Sequence, residues 1–164
     1  MKRKVSLEKL DEEGLASLYI FTFEGEDVSE YAKFFRKFES RKDLEWEFDV
    51  IDQRITKILE NGAEDEHFRL EGKAVKALPI DTGSKLRLYC YRIDKGIIII
   101  GNGGEKPRNP DPNKNKTKDF PELYSYCETI RTIGQQVENK IKTKEISRKG
   151  NELLNLKPFE IEIP

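Results

Sequence analysis

Between residues 85 and 91 hydrophobic and polar positions alternate. Leu86, Leu88 and Cys90 point one way and Arg87, Tyr89 and Tyr91 the other, because successive strand side chains take opposite faces. This predicts a half-buried strand. Asp94-Lys95-Gly96 then makes a tight turn, and the β-branched run 97–100 suits the middle of a sheet. The chain leaves that strand through Gly101-Asn102-Gly103-Gly104, where bulky side chains are absent, and at once presents Lys106 and Arg108. Upstream, residues 18–23 read as a strand ended by Glu24-Gly25-Glu26. Residues 68–78 read as another, with Gly72 as a bulge and Arg69, Glu71 and Lys73 on one face.

Three stretches carry the longer helical period. Asp27 as cap, with Glu30 completing a capping box, opens a helix whose stripe is Val28, Tyr31, Ala32, Phe35 and Phe38. A second begins near Asp43, turns Leu44, Phe48, Ile51, Ile55, Ile58 and Leu59 inward, and stops at Asn61-Gly62. Trp46 lies off that stripe and is either a second contact surface, with core or helix–helix packing the favoured reading, or an exposed aromatic. The third follows Asp119, with Pro121 in its first turn, and carries Leu123, Tyr126, Cys127, Ile130, Ile133, Val137 and Ile141. Residues 1–16 are too sparsely apolar to define a face and are expected to be a tail or frayed helix. Residues 107–118, rich in proline, asparagine and lysine, are expected to be a flexible basic loop. Phe159, Ile161 and Ile163 alternate with glutamates and predict an edge strand in the extension 145–164. The expectation is one α+β domain over 1–164 with its core at about 18–143. Its small antiparallel sheet would carry two N-terminal helices and a C-terminal helix.

Composition changes this picture in a few respects. Charged residues make up 37% of the chain against 36% hydrophobic, and no apolar run approaches the roughly 18 residues needed to cross a bilayer. Met1-Lys2-Arg3-Lys4 is followed by acidic rather than apolar residues, which does not read as a secretory signal, so a cytoplasmic protein without membrane contact is expected. Cys90 and Cys127 are expected to be buried small hydrophobes. His67 is the single histidine, which removes paired-histidine metal sites; no metal or cofactor is expected. The net charge of −1 conceals a division: residues 1–66 hold 11 Lys/Arg against 18 Asp/Glu, and residues 84–118 hold 9 against 3. A basic patch on a slightly acidic molecule can still hold phosphates, because its field acts over a Debye length of about 8 Å. An ordinary solvated face accounts for the asymmetry equally well.

The order of strand, two helices, three strands, helix and late strand resembles the RelE/ParE toxin superfamily, including the HigB-like ribonuclease toxins of bacterial toxin–antitoxin pairs. The resemblance covers roughly residues 18–140. Its specific part is LRLYCYRIDKGIIIIGNGGEKP, which is similar to the family's strand with an aromatic or apolar residue plus Arg, short turn, apolar strand and basic pair. Arg87 occupies the arginine and Lys106 one member of the pair, while Pro107 stands where the second cation is usual. The resemblance implies metal-independent cleavage of messenger RNA, associated with the ribosome, and neutralisation by a separately encoded antitoxin protein. ParE-like members keep the fold and act on DNA gyrase, so a non-catalytic interaction module on the same scaffold is the alternative.

Cleavage by the ribose 2′-hydroxyl needs a proton acceptor, cations around the phosphate and a donor for the leaving oxygen. Arg87 and Lys106 are the candidate catalytic cations and Glu71 the candidate base. Arg69, Lys73 and Arg108 are candidate phosphate contacts, and Tyr89 and Tyr91, beside Arg87, are candidate base-stacking residues. Two readings stay open beside this one. Arg87 and Lys73 could be cross-strand partners of Glu71, and the two tyrosines could be core aromatics under the third helix.

Overall fold

The computed structural model describes residues 1–71, 74–79, 83–107 and 109–164. Strands β1 (Lys2–Glu13) and β2 (Ala16–Phe23) form a hairpin, followed by helices α1 (Glu30–Phe38) and α2 (Glu45–Asn61). Four strands come next: β3 (Arg69–Leu70), β4 (Val75–Leu78), β5 (Leu86–Asp94) and β6 (Ile97–Glu105). Helix α3 (Pro121–Lys142), the small hairpin β7 (Ser147–Lys149) with β8 (Glu152–Leu154), and β9 (Phe159–Glu162) complete the α+β chain. Seven strands make one sheet in the order β3-β4-β5-β6-β2-β1-β9. Every neighbouring pair is antiparallel except β2 and β6, which run parallel from Ser17↔Ile97 to Ile20↔Ile100.

The sheet is therefore larger than the small antiparallel one expected, and mixed. Its extra strand at one side comes from residues 1–16. In that segment Val5 and Leu7 are buried and Lys4, Ser6 and Glu8 exposed, a two-residue period that a search for helical stripes passes over. The hairpin turns at Gly14, whose φ is +57° and whose Cβ, if present, would lie 2.6 Å from the Glu60 carbonyl oxygen. The expected edge strand near the C-terminus is β9, paired with Lys2–Val5 of β1.

Alternation along the strands builds two cores. Leu18, Leu86, Leu88, Cys90, Ile98 and Ile100 pack under α1 and α2 with Phe34, Leu44, Ile51 and Ile58. Tyr19, Phe21, Tyr89, Tyr91, Ile97 and Ile99 pack under α3 with Cys127, Ile130, Ile133 and Val137. Covered on both faces, β6 needs apolar side chains at consecutive positions, which is what the run 97–100 supplies. Both cysteines are buried and free. No helix is long and apolar enough to cross a membrane among the described residues.

Several local expectations are corrected. The cap of α1 is Ser29, whose hydroxyl accepts from Ala32 N–H at 3.1 Å, rather than Asp27. Residues 68–78 hold two short antiparallel strands instead of one, and Gly72, the expected bulge, lies outside the described residues. The basic loop holds two 3₁₀ turns, Pro112–Lys114 and Thr117–Asp119, and Asn115 ties the chain after the first to Asn109 before it: its Oδ1 accepts from Asn109 N–H at 2.7 Å and its Nδ2 donates to Asn109 O at 3.0 Å. Trp46 is 63% exposed, because it sits in the first turn of α2 away from the sheet.

Helix α3 seats Gly134 against β5, where a Cβ would fall 2.1 Å from Tyr91 Cγ. The Gly134→Ala substitution therefore overpacks this contact, and we expect a loss of at least about 2 kcal/mol in urea unfolding. An unchanged midpoint would mean that α3 is not seated on the Tyr91 ring.

Candidate functional site

The site begins with a phase change in β6. Cys90 pairs with Ile100, yet Leu88, two residues back on β5, pairs with Gly103, three residues on along β6. One extra residue is thus accommodated opposite Tyr89, a β-bulge. Asn102 turns to the helical pair, where its Nδ2 donates to Glu30 Oε1 of α1 at 3.3 Å and its Oδ1 accepts from Gly103 N–H at 2.7 Å. Gly103 has to be glycine, since a Cβ there would sit 1.9 Å from the Arg87 carbonyl oxygen. Strict alternation from Ile99 would put Glu105 on the α3 face. The bulge instead turns Glu105 to Arg41, at 3.1 Å, and brings Lys106 to the face that carries Arg87. Gly104, directly opposite Arg87, gives up its side-chain space to Leu123 of α3, whose Cδ2 would lie 2.9 Å from a Cβ there.

Arg87 Nη1 donates to the carbonyls of Ser84 (2.6 Å) and Leu86 (2.8 Å). Of the five guanidinium N–H groups, those on Nε and Nη2 remain, and they form the side-on fork that matches two oxygens of a phosphate. The approach of the chain to β5 is held by Glu47 of α2, a buried carboxylate that accepts from Lys85 N–H (2.6 Å) and Leu86 N–H (2.9 Å). A cleft of about 760 Å³ opens here between Gly83, Ser84, Lys85, Arg87, Lys106 and Asn115. Among the described residues, neither Arg87 nor Lys106 has a carboxylate within ion-pair distance.

Arg69 donates through Nε to Pro79 O at 2.9 Å and is close enough for its charge to act on the other two cations. Burial, and then the charges of Arg87 and Arg69, hold the Lys106 ammonium below the usual lysine range. Burial, with the Arg69 charge second, lowers Arg87 in the same direction. Glu71 is half-buried nearby, its Oε2 accepting from the Thr117 hydroxyl at 2.9 Å. Among the described residues, two buried hydroxyls at this corner have no hydrogen-bond partner, Ser84 Oγ and Tyr89 Oη. The Thr117 hydroxyl lies beside the Tyr89 phenol and offsets part of the rise that burial causes there.

Arg87, Lys106, Arg69 and Glu71 thus come together at one corner of the sheet. Lys73 and Arg108 lie outside the described residues. The exposed stacking surface expected of Tyr89 and Tyr91 is corrected: they are 0% and 3% exposed, covered by α3, and Tyr91 Oη donates to Glu138 at 2.6 Å. Burial pushes both phenols up. The aromatic at the rim is Phe120, half-buried, with Lys106 Nζ 5.8 Å from its ring centre. His67 is buried in a 3₁₀ turn on the opposite face, beside Phe68. Sequence reasoning passed over Ser84, Lys85, Glu47 and Thr117; the run of small residues 101–104 was the available sign of the bulge. No family model, curated protein or solved structure matches this chain.

Partly burying cations side by side costs stability, and the linkage has a definite sign. A lysine whose folded pKa lies below its unfolded value carries a penalty while protonated, relieved as pH rises from the folded pKa to about 10.5. Lys106→Met keeps the apolar stem against Phe120 and removes the charge. We expect it to leave the melting temperature unchanged or raise it by up to about 3 °C near pH 7. The parent should close that gap toward pH 10.5. A variant less stable than the parent throughout would identify the ammonium as a structural partner.

Proposed function

We propose that the chain is a metal-independent endoribonuclease of the RelE/ParE, HigB-like kind, the toxin of a bacterial toxin–antitoxin pair acting on messenger RNA at the ribosome. One observation carries this reading: Arg87 is anchored through Nη1, its Nε and Nη2 have no partner among the described residues, and Lys106 lies close enough for the Arg87 charge to act on it. A cation pair of this kind suits a phosphodiester whose charge grows during attack by the neighbouring 2′-hydroxyl. Glu71, oriented by Thr117, accepts the 2′-hydroxyl proton. The 2′-oxygen bonds to phosphorus, the bond to the 5′-oxygen breaks, and Lys106 gives that oxygen its proton. The products are a 2′,3′-cyclic phosphate and a 5′-hydroxyl. Phe120 is the aromatic available to a base beside the phosphate.

A second reading, a non-catalytic interaction module, draws on Trp46. This exposed side chain lies on the acidic α1–α2 layer, and exposed aromatics are enriched where partner proteins bind. The same surface would serve an antitoxin under the first reading.

Induced expression in a bacterial host separates the two. The parent should arrest growth and create new RNA 5′ ends, and an Arg87→Ala/Lys106→Ala double variant, present at equal soluble abundance, should do neither. Normal growth with intact RNA for the parent would overturn the ribonuclease reading. Equal arrest by both proteins would overturn the site.

A further inference from the structure

We propose that the cleft binds a terminal phosphate monoester in preference to an internal phosphodiester, with Ser84 as a donor beside Arg87 and Lys106. The proposal rests on the cleft being a phosphate site. It does not depend on any particular bond being cleaved there.

Charge is the first argument. Lys85, Arg87 and Lys106 line the cleft, and the lining carboxylate, Glu105, is already committed to Arg41. Glu71 nearby is engaged by Thr117. A diester carries one negative charge, whereas a phosphate monoester carries about −1.5 to −2 at pH 7. The larger charge is the better match to three lining cations.

Donor geometry is the second argument. Among the described residues, the unused donors are Arg87 Nε and Nη2, the ammonium groups of Lys85 and Lys106, and the buried Ser84 hydroxyl. A buried hydroxyl left unpaired is destabilising, so Ser84, with no partner among the described residues, gains from an acceptor brought into the cleft. Two terminal oxygens of a diester satisfy the arginine fork and little more. A monoester presents three, and the third meets the serine and lysine donors. A volume of about 760 Å³ lies within the range of about 300–1,000 Å³ typical of small-ligand sites and admits a whole nucleotide.

The test is calorimetric titration of the full chain, at low salt and pH 7.5, with uridine 3′-monophosphate and with its 3′-methyl diester. We expect the monoester to bind at least tenfold more tightly. Ser84→Ala should cut monoester affinity about fivefold and leave the thermal midpoint in place, since it removes an unpaired group; Lys106→Met should cut it further. Equal affinity for the two esters overturns the proposal, as does a monoester preference that survives both substitutions. New RNA ends in cells without a monoester preference would sink this inference and spare the ribonuclease reading. A monoester preference without cleavage would do the reverse.

Discussion

The molecule depends on the four-residue parallel pairing between β2 and β6. On one side of it stands the hairpin β1–β2 with β9, on the other the meander β3 to β6. The pairing joins segments about eighty residues apart, so the chain must travel over one face through α1 and α2 before β6 can return beside β2. That excursion is why the two helices share a face and α3, which follows β6, closes the other. Both faces of β6 become interior, and four consecutive isoleucines there are fully buried. Burying a side chain of that size stabilises by about 1.5–3 kcal/mol, so this strand is a principal source of cohesion.

The pairing stops at Ile20 and Ile100, and both strands continue past it. Where they part, polar groups fill the gap. Glu26 pairs with Arg3 and Lys33, and buried Glu30 pairs with Lys33 and receives Asn102. Lys37 reaches past β6 to donate to Gly103 O at 2.6 Å and to Tyr126 of α3 at 3.1 Å. Burial lowers the Lys37 ammonium, and these partners are what keep it satisfied. The bulge is thus held from both faces, by Asn102 toward α1 and by Lys37 at the Gly103 carbonyl. Its consequence appears three residues later, where Lys106 rather than Glu105 stands beside Arg87.

The two sides of β6 at this end of the sheet differ in their electrostatics. At the parting of β2 and β6, cations and carboxylates alternate and neutralise one another. At the cleft, three cations line one wall and the neighbouring carboxylates have other partners. The first arrangement is what a fold does with charge when stability is the only constraint. The second leaves like charges to depress one another, which is the pattern found where an anion is to be bound.

Much of the architecture was legible in the order of residues. Period-2 alternation located β5 and β9, the isoleucine run located the central strand, and helical stripes with proline and glycine signals bounded α2 and α3. These features are local, since each is set by side-chain spacing on one element. Arg87 and Lys106 were legible as cations flanking a hairpin for the same reason. Tertiary structure decided what depends on pairing between distant segments: that β1 is a strand, that β2 and β6 run parallel, and that α3 buries Tyr89 and Tyr91. Alternation assigns a side chain to a face but does not say what covers that face. The bulge is the sharpest case, because the register between β5 and β6, set by glycine backbones in contact, determines which of two adjacent residues of opposite charge enters the cleft.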